Sequence, residues 1–198
     1  FVIGAAIAGG LIWHYSRDLP DYAQLRNYEP PVMTRVHAGD GSLIAEYARE
    51  RRLYLPIQAV PKLVVDAYIS AEDKNFYKHV GVDPEGLVRA AISNFRNRGA
   101  NRRPQGASTI TQQVAKNFFL SPEQSIERKI REALVALKLE STYSKDKILE
   151  LYLNEIYLGA PAPGQGSYGI AAAALNYFGK SVHELNLQEA AYLAALPK

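Results

Sequence analysis

The sequence predicts a mainly α-helical domain that opens with one short β-hairpin. Three observations carry that prediction. After Pro61, apolar residues recur at helical spacing in stretch after stretch; several of these stretches begin at residues that cap helices; and one alternating run around Gly39-Asp40-Gly41 precedes them all. The chain has 198 residues, enough for one domain with a real core.

Phe1 to Trp13 carries no charge and is mostly apolar or small. A helix of that length runs about 20 Å, short of the roughly 30 Å hydrocarbon core. Three readings are open: the outer end of a truncated transmembrane helix over residues 1–16, a signal-peptide apolar region, or a buried helix. The first is preferred, because Trp13 and Tyr15 suit an interfacial belt and Arg17-Asp18 marks the exit to water. The start at Phe1, without Met, is expected of a fragment. Residues 17–31 end in Glu29-Pro30-Pro31 and read as a linker, leaving 32–198 as the folded domain.

Val32 to Ala38 and Ser42 to Ala48 form the expected hairpin. Val64, Tyr68 and Ala71 mark a helix face with Glu72 just beyond, and Gly81 and Pro84 punctuate its end. Leu87 to Phe95 is the next helix, then a basic loop from Arg96 to Pro104. Ser121-Pro122 is expected to cap and open a helix whose apolar stripe is Ile126, Ile130, Ala133 and Leu137. Ser144 caps another, ended by Gly159. Ile170 to Phe178 closes at Gly179, and Asn186 with Glu189 forms a capping box for the last helix.

Charge is nearly balanced: Lys+Arg is 23 and Asp+Glu is 20, a net of +3, which gives no reason to expect a nucleic-acid partner. Arg96, Arg98, Arg102 and Arg103 do cluster. With no Cys, disulfides, thiolate metal sites and Cys nucleophiles are excluded.

Four polar patterns carry the candidate chemistry. The first is Glu72-Asp73-Lys74-Asn75-Phe76-Tyr77-Lys78-His79-Val80-Gly81. Glu72 comes after an apolar face, so partial desolvation would make it a better proton acceptor, while Phe76 and His79 can share its face. A charged helix end with His as a cap explains the same residues. The second runs from Gly106 through Ser108-Thr109-Ile110-Thr111-Gln112-Gln113, with Lys116 three residues on. Its hydroxyls and amides suit sugar and phosphate oxygens, and a capped helix start would use them too. The third is Arg128-Lys129-Ile130-Arg131-Glu132, where Arg128 and Lys129 lie within one turn of Glu132; an exposed ion-pair helix is the plain alternative. The fourth, Lys147-Ile148-Leu149-Glu150-Leu151-Tyr152-Leu153-Asn154, reads as a core helix, with Ile148, Leu149, Tyr152, Leu153 and Ile156 facing inward.

In this order the four patterns resemble the peptidoglycan glycosyltransferase module (glycosyltransferase family 51) of class A penicillin-binding proteins and monofunctional transglycosylases, from about Pro30 to Lys198. The resemblance implies a lysozyme-like fold, with an α-helical head and a smaller membrane-proximal jaw. It implies that Glu72 and Glu132 are catalytic. It also implies that Asp73, Phe76, His79, Ser108, Thr109, Gln112, Gln113, Lys116, Arg128 and Lys129 bind substrate. The implied substrates are lipid II and an undecaprenyl-pyrophosphate-linked glycan chain, and phosphoglycolipids of the moenomycin type are the implied inhibitors. The implied place is the bacterial cytoplasmic (inner) membrane, anchored by a single pass, with the catalytic domain outside the cytoplasm. No cofactor is required, and use of a divalent cation (Mg or Mn) stays open. The family module continues past residue 198, so the domain is expected to be incomplete at its C-terminus, with room beyond it for a transpeptidase module.

Other classes find less support. Ser144-Lys145-Asp146-Lys147 fits Ser-x-x-Lys, but no Lys-Thr-Gly or Ser-Asp-Asn accompanies it, and a helix cap accounts for Ser144. There is no Asp-x-Asp, no P-loop and no Gly-x-Gly-x-x-Gly, and the four His lack zinc-ligand spacing. Two rivals stand: a lysozyme-type glycan hydrolase and a non-catalytic, membrane-anchored binding module.

Overall fold

The computed structural model describes Gly10, Tyr15, Leu25 and residues 34–47, 51–98, 106–120, 123, 125–161 and 166–197. Apart from Gly10, Tyr15 and Leu25, the expected anchor and linker lie outside the described residues, as do Arg102, Arg103, Ser121 and Pro122. Among the described residues no helix is long and apolar enough to cross a membrane.

The chain forms two compact units: one of Phe1–Ala23 with Asn75–Ile148, the other of Gln24–Lys74 with Leu149–Lys198. The second unit opens with the hairpin. β1 (Thr34–His37) pairs antiparallel with β2 (Leu43–Tyr47), with a register shift between Val36 and His37. Asp40 sets the turn by accepting from both the backbone N–H and the hydroxyl of Ser42. β3 (Arg51–Arg52) runs parallel to β4 (Ser167–Tyr168).

Helix α1 (Lys62–Glu72) buries Val64 and Tyr68 and packs on α7 (Leu187–Ala195). The expected capping box of α7 is present, with Asn186 accepting from the Glu189 N–H and Glu189 from the Asn186 N–H. α6 (Ile170–Phe178) lines the same core through Ile170, Ala172, Ala173 and Ala174, and ends at Gly179 as expected. Small residues are required where α6 begins. Gly169 has φ +79°, and a Cβ there would sit 2.6 Å from the Asn154 carbonyl oxygen.

The first unit holds α2 (Pro84–Arg96), α3 (Ile110–Phe119) and α4 (Ile126–Thr142), with α3 packed on α4. α2 starts three residues earlier than the apolar pattern suggested, because Pro84 is its first residue rather than a break. α4 begins at Ile126, with Ser125 as the cap accepting from the Arg128 N–H at 3.0 Å. Its buried face is Glu132, Val135, Ala136 and Leu139, not the predicted stripe; Ile126 is 83% exposed and Leu137 is also exposed. The face was displaced because one of its members is a carboxylate, which an apolar pattern passes over.

α5 (Lys145–Glu155) is capped by Ser144, whose hydroxyl accepts from the Lys147 N–H. Ile148, Leu149, Tyr152, Leu153 and Ile156 are all buried, as predicted. The helix stops at Glu155 rather than near Gly159. Strand-like pairing takes over there: Gly169 N–H donates to the Ile156 carbonyl, and Leu158 N–H to that of Ser167. Glu150 and Asn154 are braces within the second unit. The Glu150 carboxylate accepts from the Tyr54 hydroxyl and the Ile57 N–H, and Asn154 bonds both the N–H and the carbonyl of Leu55.

Candidate functional site

In the second unit, Glu72 is the last residue of α1 and is half-buried. Asp73 caps the helix; its N–H donates to the Ile69 carbonyl and its side chain is buried. Tyr68, one turn before Glu72, packs edge-to-face on Tyr152 with ring centres 6.1 Å apart, and both rings are buried. Burial, and then the Glu72 carboxylate, push both phenols far above the ordinary tyrosine range. Both therefore keep their protons at any working pH. Neither hydroxyl has a hydrogen-bond partner among the described residues, so two neutral O–H groups lie within the electrostatic reach of Glu72. Sequence reasoning missed this pair. Tyr68 to Glu72 is a visible i, i+4 spacing, but Tyr152 is 80 residues further on than Glu72.

In the first unit, the turn after Asn75 carries Phe76 and His79. Phe76 is fully buried, so its ring is not open to direct contact with a ligand. His79 is half-buried, and its Nδ1 accepts from the Gly81 N–H at 3.1 Å, which in the neutral ring leaves the proton on Nε2. Gly81 has φ +101°, and a Cβ there would meet the backbone of Ala136 at 2.8 Å, so the turn lies directly against α4.

The Ser-Thr run divides its work. Thr109 and Gln112 form the capping box of α3, and the Thr109 hydroxyl donates to the Gly81 carbonyl at 2.6 Å; both side chains are buried and committed to the fold. Ser108 instead faces the cations, accepting from Lys129 Nζ at 2.6 Å. Gln113 and Lys116 lie half-buried on α3.

The cationic face of α4 is tighter than an exposed ion-pair helix. The Glu132 side chain is only 2% exposed; one oxygen is paired with Lys129 Nζ, and the other lies 3.9 Å from Arg128 Nη1. Lys129 is 47% exposed. An ammonium has three N–H donors, and Ser108 and Glu132 take two, leaving one donor on the exposed side. A buried carboxylate thus fixes a partly open cation, an arrangement suited to an anionic ligand. Among the described residues no group of three or more His, Asp or Glu is placed to hold a metal ion, so no residue is assigned to one.

Known proteins resemble this chain along most or all of its length. The family described as Transglycosylase matches residues 40–198. The protein named Penicillin-binding protein 1A of Rickettsia conorii is 53% identical over 197 residues, covering 100% of this chain and 24% of its own length. The protein of that name in Aquifex aeolicus is 50% identical over 182 residues, covering 92% of this chain and 24% of its own length. The one in Escherichia coli K12 is 46% identical over 198 residues, covering 100% of this chain and 22% of its own length. The chain thus spans about a quarter of the length of the curated relatives it matches.

Proposed function

This chain belongs to the transglycosylase family, and from that premise we propose that it polymerises lipid II into peptidoglycan glycan strands. The growing chain on undecaprenyl pyrophosphate is the donor and lipid II the acceptor. Glu72 takes the proton of the acceptor 4-hydroxyl. That oxygen attacks the donor anomeric carbon and expels the lipid pyrophosphate in one inverting step. Lys129 and Arg128, together with Lys116, stabilise the charge on the leaving group, and Glu132 holds Lys129 and Arg128 in place. Ser108, Gln113, Asp73 and His79 are assigned to substrate positioning; Thr109, Gln112 and Phe76 contribute through the elements they fix.

The observation that carries this reading is the Glu132-anchored, half-open Lys129. A glycan hydrolase has no pyrophosphate to neutralise, whereas a lipid-pyrophosphate donor does. The apolar outer face of α2 supports a membrane-proximal jaw: Leu87, Val88, Ile92 and Phe95 are all exposed. On this reading the whole protein is held at the bacterial inner membrane by a single pass, with this domain outside the cytoplasm and a transpeptidase module beyond it. A direct test against the hydrolase reading is to give the detergent-extracted full-length protein preformed glycan strands without lipid II. Strand lengths should stay unchanged; progressive shortening would establish the hydrolase instead.

A further inference from the structure

We propose that Glu140 and Lys145, which lie outside the four polar patterns, form a positioning pair for the Asn75–Gly81 turn. Lys145 Nζ donates to Glu140 Oε1 at 2.6 Å and sits 4.5 Å from the centre of the Phe76 ring. The Thr111 hydroxyl donates to the same Glu140 oxygen at 2.6 Å. The side chains are largely withdrawn from water, Lys145 at 19% and Glu140 at 7% exposure, and Phe76 is fully buried. The ammonium is therefore gripped from two sides. A carboxylate shared by α4 and the Thr111 hydroxyl of α3 holds one side, and the face of an aromatic ring holds the other. An exposed pair would be screened by solvent, whereas here the ring and the surrounding core shield both attractions.

What the ring carries gives the pair its role. Phe76 meets Tyr77 and His79 edge-on, with ring centres 5.1 and 6.3 Å away. The turn is closed by Lys78 N–H and His79 N–H donating to the Asn75 carbonyl, and by Gly81 N–H donating to His79 Nδ1. Tyr77 adds a longer reach from its hydroxyl to Asp146, the neighbour of Lys145. With Lys145 in place, the second pattern (through Thr111), the third helix of the unit (through Glu140) and the first pattern (through Phe76) are tied to one charge. Loss of that charge frees the ring to shift and takes His79 with it. The pair touches no reacting atom; it sets where the turn sits. Only the effect on turnover rests on the proposed polymerase activity.

The test uses the full-length, detergent-extracted protein. In Lys145→Met, which keeps an apolar stem and removes the charge, amide hydrogen exchange at Lys78, His79 and Gly81 should rise by about tenfold, the scale expected when a local unit is deprived of a shielded cation–π interaction. Exchange in α7 should stay at the wild-type rate. Lys145→Arg keeps a cation over the ring and should restore most of the protection. With labelled lipid II, Lys145→Met should lower kcat about tenfold with little change in KM, on the same energetic scale. If Lys145→Met fails to fold, Thr111→Val removes one hydrogen bond from Glu140 and should still raise exchange in the turn about threefold. Wild-type exchange in the turn of the folded variant, or an equal rise throughout α7, would overturn the proposal. If wild-type protein makes no polymer, the polymerase reading fails while the exchange arm still decides on the positioning pair.

Discussion

Glu72→Gln should lower the rate of lipid II polymerisation by at least about 10²-fold, the usual scale for loss of a general base. The amide keeps the shape of the side chain but cannot take the acceptor proton. The protein should fold normally, because Glu72 closes α1 at a half-buried position while the core contribution of that helix comes from Val64 and Tyr68. The buried, protonated phenols of Tyr68 and Tyr152 strengthen the assignment. They place two neutral O–H groups within the electrostatic reach of the carboxylate. Polymerisation by Glu72→Gln within a few-fold of wild type, with a normal melting curve, would remove Glu72 from the role of base.

Lys129→Ala is the second large effect, and here the structure changes the energetics that a sequence pattern suggests. An exposed helix pair contributes roughly 0.5 kcal/mol. Glu132, however, is buried, and removing Lys129 leaves it with Arg128 at 3.9 Å. Breaking a fully buried pair costs roughly 3–5 kcal/mol; with Lys129 half-exposed and Arg128 retained, about 1–3 kcal/mol of stability should be lost. Transition-state stabilisation should fall by about 2–4 kcal/mol, a slowing of roughly 30- to 1000-fold. Two controls separate these effects. Adding Glu132→Gln removes the uncompensated charge and should recover most of the stability, but not the turnover. Lys129→Arg should recover only part of the turnover, because a flat guanidinium does not replace a compact ammonium. Phosphoglycolipid inhibitors should bind Lys129→Ala more weakly. Turnover and inhibitor affinity unchanged in Lys129→Ala would give this face a purely structural role.

The parts of the fold legible in the sequence are those set by chemistry within a few residues. Asp40 and Ser42 close the hairpin, Ser144 caps α5, Asn186 and Glu189 box the start of α7, and Gly179 ends α6. The parts not legible depend on distant partners. The buried face of α4 includes Glu132, which is tolerated there only because Lys129 and Arg128 pair with it, so periodicity of apolar residues pointed to the wrong stripe. α5 stops early because residues 156–158 find partners at 167–169. Glu150 and Asn154 were recognisable as members of a core helix, but not as braces on Tyr54, Leu55 and Ile57, nearly a hundred residues away.

The candidate site shows the same division. Glu72, Lys129 and Glu132 stood out through the family resemblance of the patterns around them, since helical spacing alone left a charged helix end and an exposed ion-pair helix as equal readings. A capped helix start was one of the readings the sequence offered for the Ser-Thr run, and Thr109 is that cap. The sequence did not show that Gln112 would close the box, that Phe76 would be fully buried, or that Lys145 would sit over its ring. The Tyr68–Tyr152 pair was hidden for the same reason as the Glu150 braces, since its members meet only in the folded chain.

The central claim is that this domain lengthens lipid-linked glycan. The most direct measurement incubates the full-length protein, extracted from membranes in detergent, with labelled lipid II, transpeptidation blocked by a β-lactam, and separates the products by length. A ladder of lipid-linked strands that extends with time, and that is absent with Glu72→Gln, is the predicted result. Lipid II bound but never joined, or released only as hydrolysed disaccharide-peptide, would contradict the account.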